Sequence, residues 1–220
     1  MPSVQKKRAL QKTRSRERRG RIYLLGTLIL IIIAAVGWYV YASAQSANTN
    51  VATSGIVYAK LNTSKGTIEV ELYQNSAPKT VTNFVNLANS HFYDNLVWHR
   101  IAKANPAVIQ TGDPNTRNVS NRTLWGQGGS PQTVPLEINS SLHNNVGYLG
   151  MARGTAEDSG SSQFYVNMDN NNYLDGHYTV FGKVISGMDA AIAIWNVPVN
   201  SQSQPINPVF LTSVTISSSS

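Results

Sequence analysis

Arg100 and Gln110 are polar residues set into apolar, β-prone runs, which makes them the first candidates for chemistry. They lie in residues 98–113, WHRIAKANPAVIQTGD, where 96–101 and 107–109 flank a polar break. Successive side chains of a strand point to opposite faces. Trp98 and Arg100 are therefore expected on one side, with Val97, His99 and Ile101 on the other. A guanidinium held on a sheet face is costly unless something pairs with it. A structural arginine bonded to a carboxylate or loop carbonyl is one reading; a cation serving a site is the other. Residues 161–167, SSQFYVN, offer a second constellation. Alternation places Gln163 and Tyr165 on one face, an amide and a ring presented together, as suits peptide binding. Phe164 and Val166 face the other way, into a core.

Several other chemistries have no support. The four histidines (His91, His99, His143, His177) stand far apart, with no H-E-x-x-H and no cysteine anywhere, so no metal site is expected. There is no G-x-S-x-G nucleophile elbow, and Ser159 to Ser162 read as turn residues before a strand. The run Gly126-Gln127-Gly128-Gly129 is followed by no Gly-Lys-Ser/Thr, so a phosphate loop is excluded. No cofactor is implied. The sequons at Asn62, Asn118, Asn121 and Asn139 occur about as often as chance provides in a chain so rich in Asn, Ser and Thr.

The elements that must position these residues are mostly short strands. Residues 56–63 and 67–72 read as strands joined at Ser64-Lys65-Gly66; in the second, Ile68, Val70 and Leu72 alternate with polar residues. Pro78 opens a helix whose stripe is Val81, Phe84, Val85 and Ala88. Residues 115–135 read as loop, while 148–152, 163–168, 179–184 and 209–216 supply further strands and 187–195 a second helix. Many short strands with two helices predict a mainly β barrel or sandwich with helical plugs.

The formal charge of the 220 residues is +7, yet residues 1–21 hold nine Lys or Arg against Glu17 alone. The rest carries nine basic and ten acidic residues, so no nucleic-acid face is expected on the folded part. Residues 22–41 have no formal charge and are about 20 in number, enough for a helix to cross roughly 30 Å of hydrocarbon. Tyr23 at one end, and Trp38, Tyr39 and Tyr41 at the other, suit the two interfaces. The basic side predicts a cytoplasmic tail (1–21), a transmembrane anchor (22–41), a flexible linker (42–54) and one extracytoplasmic domain (55–220). On this reading the partner of tail and helix is membrane lipid. Cleavage after Ala44, in the A-x-A pattern at 42–44, would instead give a secreted protein.

The segments WHRI, VIQTGDP, GYLGMAR, SSQFYVN, YLDGHYTVFGKV and ISGM resemble, in order and approximate spacing, the cyclophilin family of peptidyl-prolyl isomerases, most nearly its single-domain prokaryotic members. The resemblance covers about residues 56–216. It implies an eight-stranded antiparallel β-barrel capped by two helices, with a shallow outer groove for proline-containing polypeptides. A monomer is expected. Arg100 matches the family's catalytic arginine. Gln110 and Gln163 match its groove glutamines, and Ala152 a residue whose backbone helps hold peptide. Tyr165 stands where the family has a Phe under the proline ring, and Leu174 where it has a wall Leu. The sequence departs from the pattern by a two-residue insertion within 102–106, Ala107 for Phe, Val108 for Met, Tyr173 for Trp or Phe, Tyr178 for His and Arg153 for Asn. Isomerisation of proteins outside the cytoplasm is therefore one expectation. The reduced wall at Ala107 supports another, a proline-binding chaperone or adaptor with little turnover, or a scaffold whose groove has decayed.

Overall fold

A computed structural model describes residues 56–217. The tail, anchor and linker expected over 1–54 lie outside the described residues. Among the described residues, no helix is long and apolar enough to cross a membrane.

Nine strands form one antiparallel sheet: β1 (Ile56–Thr63), β2 (Gly66–Tyr73), β3 (Leu96–Val97), β4 (Arg100–Ala102), β5 (Val108–Thr111), β6 (Tyr148–Met151), β7 (Phe164–Asn167), β8 (Val180–Ser186) and β9 (Phe210–Ser217). Their spatial order is β3-β9-β1-β2-β8-β6-β7-β5-β4. Two helices, α1 (Pro78–Asn89) and α2 (Met188–Trp195), complete the mainly β architecture. The alternation in β2 holds: Ile68, Val70 and Leu72 are buried, and Glu69 and Glu71 are not. The stripe of α1 also faces the core as its spacing predicts.

The strand count departs from eight because 96–101 is not one continuous strand. Trp98 donates its backbone N–H to Val209 O, and Ile101 donates to Ser203 O, so the chain changes partners within the run. The break at Trp98-His99 divides it into β3 and β4, the two ends of the sheet order. It also corrects the face assignment. Trp98 does not share a side with Arg100 but is buried in the main core beside Phe164, with ring centroids 6.1 Å apart.

Ala77, the residue before α1, has no capping side chain. Glu137 takes that part from a distant loop, accepting from the N–H of Lys79 (3.0 Å), the N–H of Thr80 (2.8 Å) and the Thr80 hydroxyl (2.8 Å). A carboxylate there satisfies orphan donors and complements the helix dipole. Glu137→Ala is expected to cost about 1–2 kcal/mol in denaturant unfolding, with Glu137→Gln losing less because one acceptor remains. Equal losses in both variants would contradict this account of the cap.

Candidate active site

The register of β4, β5 and β7 places Arg100 opposite Gln110, and Gln110 opposite Tyr165. Ala102 and Val108 form the next pair on the same outer face, and with Tyr165 they make a small buried apolar cluster. Ile101, Ile109 and Val166 alternate to the inner face and join the main core. The outer face therefore brings together residues far apart in sequence.

Arg100 Nη1 donates to Gln110 Oε1 at 3.2 Å, and Gln110 Nε2 donates to Gln163 Oε1 at 2.9 Å. Gln163 Nε2 ends the chain on two loop carbonyls, Gly126 O at 3.0 Å and Gly128 O at 2.6 Å. Those carbonyls only accept, so each amide in turn has one orientation available, and the last free oxygen faces Arg100. The arginine keeps donors unused by Gln110 and has no carboxylate partner among the described residues. That removes the reading of a charge paired for structure alone.

The glycine-rich loop serves this relay. Asp113, fully buried, accepts from the N–H of Asn115 and of Gly126 and so holds the loop against the sheet. At Gly128 a Cβ would stand 2.2 Å from Asp113 Oδ1, so only glycine lets the loop approach closely enough to present its carbonyl to Gln163.

Beside Arg100 lies a recess of about 220 Å³. That is smaller than the roughly 300–1,000 Å³ of drug-sized ligand sites, and suits one residue of an extended chain. Tyr165 is its floor; Val108, Leu174, Tyr178 and Pro106 form its apolar walls, and Gln110, Ala152 and Arg153 complete the rim. Arg153 is held in place, donating to His177 O, Gly154 O and Thr155 O with its guanidinium 5.0 Å from the Tyr178 ring centre. The Ala152 N–H is occupied by Gln163 O. A second recess of about 370 Å³, lined by Gly126 to Gly129, Ser159 and Ser161, shares Gln110, Ala152 and Arg153 with the first. Gln163 belongs to that second recess and to the relay.

Ala107 is the one candidate that the structure does not bring to the groove. It is buried, with its N–H donated to Asn171 Oδ1 and its carbonyl accepting from Asn171 Nδ2. Pro106, which the sequence did not single out as a wall, lines the recess instead. Counting back by twos from Gln110 through Val108 would have found it.

Tyr165 has its phenol pKa pushed far up by burial, and further by Tyr178 and Asp175, so it is a neutral donor. His99, behind the relay, is buried. Burial lowers its pKa from 6.5 to about 4, against the opposing pull of Asp113 and with help from Arg100. The unfolded chain therefore binds one more proton than the folded chain between pH 4 and 6.5, and stability falls as pH drops through that window. Denaturant midpoints of the parent chain should show that fall, and His99→Leu should lack this part of it. Identical pH profiles would contradict the assignment.

The profile of the cyclophilin type peptidyl-prolyl cis-trans isomerase/CLD family matches residues 58–216, and the chain belongs to that family. The chain is 37% identical over 168 residues to the peptidyl-prolyl cis-trans isomerase of Acinetobacter baylyi, covering 72% of this chain and 85% of that protein. To the peptidyl-prolyl cis-trans isomerase-like 2 protein of Rhizopus delemar it is 35% identical over 149 residues, 67% of this chain but only 26% of that longer one. In fold it is similar to the crystal structure of a Cryptosporidium parvum cyclophilin type isomerase determined in the presence of the dipeptide Ala-Pro. The TM-score is 0.66 at 28% identity, over 74% of this chain and 99% of that one. Membership and these relatives support peptidyl-prolyl cis-trans isomerase activity.

Proposed function

We propose that the chain is a membrane-tethered prolyl isomerase in which Arg100 donates a hydrogen bond to the prolyl nitrogen of the twisted amide. The observation that carries this reading is Arg100 itself. It stands at the rim of a one-residue apolar seat, steadied by Gln110 and neutralised by no carboxylate among the described residues.

Rotation about the peptide C–N bond is resisted by ~18–20 kcal/mol because of resonance. When the bond twists, the nitrogen regains its lone pair and the carbonyl loses charge. A donor facing that nitrogen is satisfied only in the twisted form, which is the differential binding catalysis requires. Tyr165, Val108, Leu174, Tyr178 and Pro106 clasp the proline ring and exclude water from it. The polar recess beside it receives a neighbouring residue of the same polypeptide. The Ala-Pro dipeptide present with the similar Cryptosporidium parvum isomerase supports proline-containing peptides as the ligand class.

The anchor reading rests on residues 1–41: a basic tail, then an uncharged span flanked by aromatics. It places the isomerase outside the cytoplasm, acting on proteins that fold there, with the tail against anionic lipid. The adaptor alternative drew its force from a wall shortened at Ala107, and Ala107 does not line the recess.

The intact chain in detergent should accelerate cis–trans exchange of a prolyl tetrapeptide above the spontaneous rate. Binding of the peptide without acceleration would replace this reading with the adaptor. Protease added outside sealed cells should remove the folded domain and spare the tail; protection of the domain would overturn the topology.

A further inference from the structure

Tyr165 carries a hydroxyl into the floor of the seat, but that hydroxyl does not face the recess. It is donated backwards to Asn144 Oδ1 at 2.9 Å, between two buried residues. The ring lies against β6 opposite Gly150, where a Cβ would stand 2.1 Å from Tyr165 Cζ and 2.2 Å from its hydroxyl oxygen. A side chain there would dislodge the ring and break the bond.

Asn144 is the meeting point of the other walls as well. Its Nδ2 and its backbone N–H both donate to Asp175 Oδ1, at 2.9 and 2.8 Å. Asp175 directly follows Leu174, a wall of the seat. The Asn144 carbonyl accepts from the N–H of Asn171 at 2.8 Å. Asn171 in turn holds both backbone groups of Ala107, next to the Pro106 wall. Because the Asp175 carboxylate accepts only, it turns the Asn144 amide so that its oxygen must face Tyr165.

We propose that Asn144 is a positioning residue for the proline seat, joining the Tyr165 floor to the Leu174 wall through the Tyr165 hydroxyl and Asp175. The proposal rests on the reading of this recess as the prolyl site. Asn144 touches no substrate; it acts through the residues that do. The Arg100–Gln110–Gln163 relay is anchored separately, on the Gly126 and Gly128 carbonyls, so the chemical step is outside its reach.

The test uses the intact chain with a prolyl tetrapeptide, measuring Kd by titration and KM and kcat by exchange kinetics. Tyr165→Phe keeps the ring and removes only the hydroxyl. Kd and KM should rise about three- to tenfold, the worth of one neutral hydrogen bond, with kcat within about twofold. Asn144→Ala should match or exceed that rise. The double variant should be no weaker than Asn144→Ala alone, because both changes remove the same bond. A lowered melting temperature with Kd and KM unchanged in Tyr165→Phe would show a merely structural tie and overturn the proposal, whether or not Asn144→Ala folds. If the parent chain binds without turnover, the isomerase reading fails and the Kd comparison still decides this one.

Discussion

Arg100→Ala is expected to lower kcat/KM for prolyl peptides roughly ten- to a hundredfold, the worth of one charge-assisted hydrogen bond of ~1.5–3 kcal/mol in the transition state. Arg100→Lys should recover little. The ammonium could occupy the same space, but it lacks the planar fork that binds Gln110 with one arm and leaves others for the substrate. Folding should change little, since Arg100 is only partly buried and makes no ion pair among the described residues. Exchange kinetics on both variants, with thermal melts alongside, check this. Full activity in Arg100→Ala would transfer catalysis to the apolar seat.

Phe164→Ala is expected to be the most damaging core change. The ring is fully buried and touches four others: Phe84 at 5.3 Å, Tyr93 at 5.7 Å, Trp98 at 6.1 Å and Phe181 at 6.4 Å between centroids. All four contacts lie edge to face, at 78–89°, so shape as well as area is lost. Truncation of a buried Phe costs about 3–5 kcal/mol, a large part of the ~5–15 kcal/mol that holds a typical domain. Because Phe164 stands between Gln163 and Tyr165, the groove should loosen even where the chain still folds. Denaturant unfolding gives the size of the loss; a change below about 1 kcal/mol would contradict the placement of this ring at the centre of the core.

Local periodicity carried the parts of the fold that depend on one element at a time. Ile68, Val70 and Leu72 declared the buried face of β2, and Val81, Phe84, Val85 and Ala88 that of α1. Alternation through Gln163, Phe164, Tyr165 and Val166 separated groove from core. The break at Trp98-His99 had no local mark. It arises because Trp98 and Ile101 bond to Val209 and Ser203, about a hundred residues on. The asparagines were hidden for a similar reason. Asn144, Asn167 and Asn171 carry no periodic signal of burial, yet all three are buried and satisfied by one another and by the backbone. Only the pairing of distant segments supplies the partners that such burial requires. At Ala107, resemblance pointed to a wall, yet the residue is buried with both backbone groups held by Asn171, and Pro106 lines the recess.

The central claim is that Arg100 favours the twisted amide over either planar form. Exchange NMR on peptide saturated with enzyme reads this directly, because it follows cis–trans interconversion within the complex. In Arg100→Ala the bound exchange rate should fall roughly ten- to a hundredfold while Kd changes by less than about threefold. An unchanged bound rate with a weakened Kd would mean that the guanidinium holds the ground state, and would contradict the account.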